Sequence, residues 1–170
     1  MGVSGSGKSL VGDHLSNSID QINGQAAELV FVDGDDLHPV ENVQLMRAGV
    51  KLDDQTRKPW LDAICDCVES HFAENRSLVV ACSALKKQYR QRLRSAGDVY
   101  FVFLSGPQAV IAKRIQARQG HYMPGSLLKS QFDDLEDPTS EPGVVEIDID
   151  QTKSKVLAQA LEKVRELISS

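Results

Sequence analysis

Residues 2–9, Gly2-Val3-Ser4-Gly5-Ser6-Gly7-Lys8-Ser9, match the pattern G-x-x-x-x-G-K-[ST], and nothing else in the chain restricts its fold as strongly. Each fixed position has a physical task. Glycines let successive backbone N–H groups turn toward one point, forming a nest for anions. Such a loop assigns Gly2, Ser4, Gly5, Ser6, Gly7, Lys8 and Ser9 to the phosphates of a nucleotide. Lys8 is expected to reach the β- and γ-phosphates, and the Ser9 hydroxyl to ligate Mg²⁺. Leu10, Val11, Leu15, Ile19 and Ile22 then recur at helical spacing, which predicts a helix whose N-terminus faces the same phosphates. The competing reading is a flexible Gly/Ser-rich tail, and the helix directly after the loop argues against it.

A loop of this kind follows a strand buried inside a sheet, yet only Met1 precedes Gly2. The sequence therefore predicts a sheet without its first strand. Four apolar runs are expected as strands: 28–32, 77–82, 99–104 and 144–149, the last alternating as a flanking strand would. Helical patterns cover 59–72, 107–119, 126–135 and 152–168, with Pro59 placed in the first turn of its helix. Repeated βα alternation predicts an α/β fold of the P-loop NTPase kind. That is a parallel, doubly wound sheet flanked by helices. In such sheets ligands bind beyond the carboxyl ends of the strands. Polar clusters sit at those ends: Asp33, Asp35 and Asp36 after the first run, Ser83, Lys86 and Lys87 after the second, Asp150 after the fourth.

A chain of 170 residues fits one domain, 1–170, with the lid expected at about 114–136. The formal net charge of −5 speaks against a nucleic-acid partner held by bulk electrostatics. No apolar run approaches the roughly 18 residues that cross a bilayer, and residues 1–9 have no signal-peptide character. Three cysteines, an odd number, fit a reducing compartment, so a cytoplasmic location is expected.

Asp33 and Asp35 end a predicted strand two residues apart, so one could support Mg²⁺ while the other accepts a hydroxyl proton. Turn formation alone would use fewer acidic residues. His38 has two readings, a substrate contact or a cap for the next helix. Arg57 can fork onto a carboxylate or phosphate, or remain a solvated surface residue. Lys86 and Lys87 stand at a helix start, where a cation opposes the macrodipole unless an anion is near. Arg114 and Arg118 are four residues apart and would repel unless an anion lies between them. With His121 they flank a Gly/Pro-bracketed break suited to a lid. Trp60 reads as core. The cysteines and histidines have no metal-ligand spacing, so Mg²⁺ arriving with the nucleotide is the only metal expected.

Several strings together resemble the gluconokinases of the thermoresistant type. They are Met1–Ser9, Asp33-Gly34-Asp35-Asp36-Leu37-His38-Pro39, Arg57-Lys58-Pro59-Trp60-Leu61, Cys82 through Arg90, Gly120-His121-Tyr122-Met123-Pro124, and Leu127 through Glu136. The resemblance spans essentially the whole chain. It implies transfer of the ATP γ-phosphoryl group to the 6-hydroxyl of D-gluconate, a fold like that of the nucleoside monophosphate kinases with a small lid, and a homodimer as a common assembly. By the same resemblance Asp33 supports Mg²⁺ through water, and Asp35 binds the reacting hydroxyl as the candidate base. Arg57 and Lys86 hold the sugar acid, with His38 and His121 completing the substrate set. Arg114 and Arg118 close over the phosphates, Arg118 with a catalytic part, and the Asp150-Gln151 turn approaches the adenine. Thr56 departs from the family pattern, which has Asp before the arginine. Two alternatives stand beside this reading: a kinase for another small hydroxy acid, such as shikimate, and an N-terminally truncated nucleotide-binding relative with little activity.

Overall fold

A computed structural model of the chain describes residues 1–22, 25–117 and 127–169. The phosphate-loop segment leads into α1 (Lys8–Ser18). A short antiparallel hairpin follows, β1 (Gln21–Ile22) and β2 (Gln25–Ala26), and then β3 (Leu29–Asp33). A 3-10 turn over Gly34–Leu37 connects to α2 (Val40–Arg47) and α3 (Asp54–Ala73). Alternation then continues through β4 (Ser77–Ala81), α4 (Lys87–Arg94), β5 (Phe101–Ser105) and α5 (Gln108–Ala117). The chain ends with α6 (Leu128–Asp134), β6 (Val144–Asp148) and α7 (Lys153–Leu167).

The four expected strands are present within two residues of their predicted ends. β3 and β4 pair in parallel, from Leu29 opposite Ser77 to Asp33 opposite Ala81. β5 and β6 do the same, from Phe101 opposite Val144 to Ser105 opposite Asp148. No ladder joins β4 to β5 among the described residues. Among the described residues Met1 and Gly2 bridge them. The Met1 amino group donates to the Val102 carbonyl (2.5 Å) and the Met1 carbonyl accepts from Leu104 N–H (3.0 Å). Gly2 N–H donates to the Ser83 carbonyl (3.1 Å). Beneath this bridge an apolar cavity of about 400 Å³ extends along the sheet, lined by Leu15, Ile64, Leu78, Val80, Phe101 and Val102 among others.

Two apolar cores flank the sheet. Val11 and Leu15 of α1 pack with Leu104, Ile111, Ile147 and Val156 on one side. Trp60, Leu61 and Ile64 of α3 pack with Tyr89, Leu93, Phe101 and Phe103 on the other. The expectation of strands buried on both faces holds for most of β5, but Ser77–Val80 of β4 are only half-buried, because the cavity opens beside them.

Three helices differ from the sequence reading. α1 stops at Ser18, where Ile19 turns extended and leads to the hairpin, instead of running to Ile22. α3 begins five residues before Pro59, because the Asp53 carboxylate accepts from Thr56 N–H and caps an earlier start. Pro59 therefore lies inside the helix and leaves the Gln55 carbonyl without its usual donor. α2 has no predicted span, beyond the reading of His38 as a cap for a following helix. Its eight residues bury only Asn42 and Met46, too few to give a periodic signal.

Candidate active site

The phosphate loop takes its shape from glycine. Gly7 caps α1 in the left-handed region (φ 100°), and Gly5 is also left-handed (φ 79°), where a Cβ would lie 2.6 Å from Ile115 Cγ1. The loop turns around Val3, whose carbonyl accepts from Ser6 N–H (3.2 Å) and from Lys8 Nζ (3.1 Å). The Ser6 hydroxyl is buried without a hydrogen-bond partner among the described residues. Ser4 N–H donates to Gln131 Oε1 of α6 (2.6 Å), so a side chain from far along the sequence reaches into the loop.

At the start of α1 the Ser9 hydroxyl donates to Asp33 Oδ2 (2.5 Å). Asp33 ends β3, and its other oxygen accepts from Asp35 N–H (3.1 Å), holding the 3-10 turn that presents Asp35. A hydroxyl and a carboxylate thus meet at the carboxyl edge of the sheet, beside the phosphate loop. That donor set suits Mg²⁺, which takes few protein oxygens when phosphates supply others.

Lys8, Asp35, His38 and Arg57 line one polar cleft, together with Ser4, Lys51 and Gln131. Its apolar parts include Leu52, Trp60 and Leu127. His38 lies flat on Trp60, with ring centroids 4.6 Å apart and planes within 5°. The Trp60 indole N–H is fixed by the Gly34 carbonyl (2.7 Å), so the pair is a rigid wall. Burial pushes the His38 pKa down to about 4, against the opposing pull of Asp35, and the imidazole is neutral near pH 7. Its Nδ1 is buried and has no partner among the described residues.

Arg57 Nη1 donates to Asp134 Oδ2 (2.9 Å) and to the Tyr89 hydroxyl (3.3 Å). Lys51 Nζ donates to the other oxygen of Asp134 (2.8 Å). Burial of Asp134 would raise its pKa, but Lys51 and Arg57 outweigh that and hold the carboxyl below its ordinary range. Lys86 is placed differently. Its ammonium pairs with Asp54 Oδ1 (2.5 Å), next to the Tyr89 hydroxyl that also donates to Asp54, and it is not among the cleft's lining residues. The bonds from Lys86 and then Tyr89 hold the Asp54 pKa at about 2. Arg114 Nη2 donates to the Ile149 carbonyl (2.6 Å), just beyond β6, and also lies outside the cleft. Arg118 and His121 lie outside the described residues, as does the middle of the expected lid. The lid's last part is packed rather than open: Leu128, Gln131 and Asp134 of α6 are buried.

Lys51, Gln131 and Asp134 carry no separate signal in the sequence. Gln131 and Asp134 lie within the string Leu127–Glu136 that carried the resemblance, and their spacing of three puts both on one face of α6.

No family model matches the chain. It is 42% identical over 166 residues to the thermosensitive gluconokinase of Escherichia coli K12, covering 96% of this chain and 84% of that one. It is 38% identical over 167 residues to the thermoresistant gluconokinase of the same organism, covering 97% and 91%. A crystal structure of a gluconokinase from Sinorhizobium meliloti 1021 superposes with a TM-score of 0.86 at 40% identity, covering 99% of this chain and 90% of that one.

Proposed function

The chain belongs to the gluconokinase family, and from that membership we propose that it transfers the γ-phosphoryl group of ATP to the 6-hydroxyl of D-gluconate, giving 6-phospho-D-gluconate. The observation that carries this reading is the meeting of Lys8, from the phosphate loop, with Asp35 and Arg57 in one cleft. Donor phosphate and acceptor hydroxyl must come together beside groups that neutralise charge and accept a proton, because phosphoryl transfer is mainly positioning and electrostatics.

The backbone N–H groups of residues 2–9 would cradle the phosphates, with Lys8 on the transferring group. Ser9 and Asp33 would hold Mg²⁺, which supplies neutralisation of phosphate charge. Asp35 would orient the acceptor hydroxyl and take its proton. Neutral His38 offers an acceptor or donor nitrogen to a substrate hydroxyl, and Arg57 takes the carboxylate. Arg114, Arg118, Lys86 and His121 remain assigned by resemblance to the phosphates and the sugar acid. The whole chain acts as one kinase domain with its lid at about 114–136. A homodimer follows from the resemblance, and a cytoplasmic site is in keeping with three cysteines of which none is in a disulfide. No helix among the described residues is long and apolar enough to cross a membrane.

Coupled ADP release against gluconate, shikimate and other hydroxy acids tests the reading. Gluconate-dependent turnover is expected, and Lys8→Ala and Asp35→Asn should each lower it by roughly a thousandfold with the circular dichroism spectrum unchanged. Turnover with shikimate alone would favour the other acceptor class.

A further inference from the structure

Lys51 is the least expected cation in the cleft. It lies in the connection between α2 and α3 and belongs to none of the motifs that mark the site. Its ammonium and the Arg57 guanidinium meet on opposite oxygens of the same carboxylate, Asp134, at 2.8 and 2.9 Å. Asp134 is nearly buried (8% exposed) and stands behind them, while Lys51 and Arg57 line the cleft itself. Two cations on one carboxylate leave a net positive charge facing the cleft. Donors remain as well. Among the described residues Arg57 donates only through Nη1, which leaves Nη2 and Nε, and Lys51 uses one of its three N–H groups. Asp35 is the carboxylate that lines the same cleft, and among the described residues no ion pair joins it to Lys51 or Arg57, whose salt bridges both go to Asp134.

We propose that Lys51 and Arg57, held as a pair by Asp134, form the subsite for the substrate's carboxylate, and that Lys51 is the residue that sets the preference for a sugar acid over its neutral counterpart. The inference rests on the gluconate reading and extends it to a residue that reading does not need. Asp134 acts as a positioning residue. It keeps both cations in place before substrate arrives and spares them the loss of side-chain freedom on binding. Arg57 is the more enclosed of the two cations (13% exposed) and Lys51 the more accessible (45% exposed).

Steady-state kinetics on Lys51→Met, with Lys51→Arg as the conservative control, test this. Lys51→Met should raise KM for gluconate about tenfold, as loss of one charge-assisted contact does. The loss should fall on KM rather than kcat, and KM for ATP should not move. The discrimination between D-gluconate and D-gluconamide, measured as competing ligands, should shrink by a similar factor, and Lys51→Arg should restore most of it. Asp134→Asn should raise KM for gluconate too, with Asp134→Glu recovering part. A Lys51→Met enzyme with unchanged KM and unchanged discrimination would overturn the proposal while leaving the gluconate reading intact. A loss shared equally by gluconate and gluconamide would overturn it also, since that marks a structural role. A parent enzyme without gluconate-dependent turnover would overturn both.

Discussion

His38 shows what burial does to one side chain. In the unfolded chain its imidazole has a pKa near 6.5, and in the fold burial against Trp60 lowers it to about 4. The unfolded state therefore binds the proton more tightly. Stability from this site is complete above pH 6.5 and is lost as pH falls from 6.5 toward 4. Asp54 and Glu141, both held at about 2 by their cationic partners, add a separate loss, beginning only below about pH 4.5. Urea midpoints measured from pH 7.5 to 4.5 should accordingly decline in the parent, and His38→Gln should flatten that decline. At this scale the sequence was legible wherever a function needs neighbours along the chain. Gly2–Ser9 and Asp33–Asp35 are contiguous motifs, and the Ser9–Asp33 contact brings them together. Lys51, Gln131 and Asp134 were not legible as site residues, because a lone lysine or aspartate has no local pattern and its role appears only when distant segments fold together.

Among the elements, α4 is held by its arginine. Arg90 is fully buried, yet its guanidinium is satisfied by the carbonyls of Ala84, Leu85 and Glu136 and by Glu141 (2.6 Å). It fastens the loop after β4 to the segment after α6. The sequence registered Arg90 only as part of a resembling string, since an arginine on a short basic helix reads as solvated. Arg90→Met leaves Glu141 and three carbonyls short of donors, and should cost about 3 kcal/mol in chemical denaturation, the scale of breaking one side of a buried pair. α6 joins two parts of the site in the same way, with Gln131 on the phosphate loop and Asp134 on Arg57 and Lys51. Its short apolar pattern was readable, but the polar face that reaches both substrates' regions was not. α3 taught the opposite lesson: a proline suggested the helix start, and a cap further upstream overruled it, because Asp53 satisfies backbone donors that Pro59 cannot.

For the molecule as a whole, the layered α/β plan followed directly from apolar runs alternating with helical spacing, since short continuous apolar runs mark the strands and the 3.6 periodicity marks most of the helices. What periodicity could not give was the order of strands, which depends on pairing across the sheet. The resulting division into β3–β4 and β5–β6, joined through Met1 and Gly2, concerns more than architecture. Phe72 and Tyr100, 63% and 45% exposed, both border the apolar cavity between the halves. The 170-residue chain is expected to bind the dye ANS there. Seen from the backbone, the two halves of the sheet are coupled through the very residues that open the phosphate loop. Strain between the halves is thereby passed to the loop that is to hold phosphate, so nucleotide binding and the stability of the sheet should be linked, each strengthening the other.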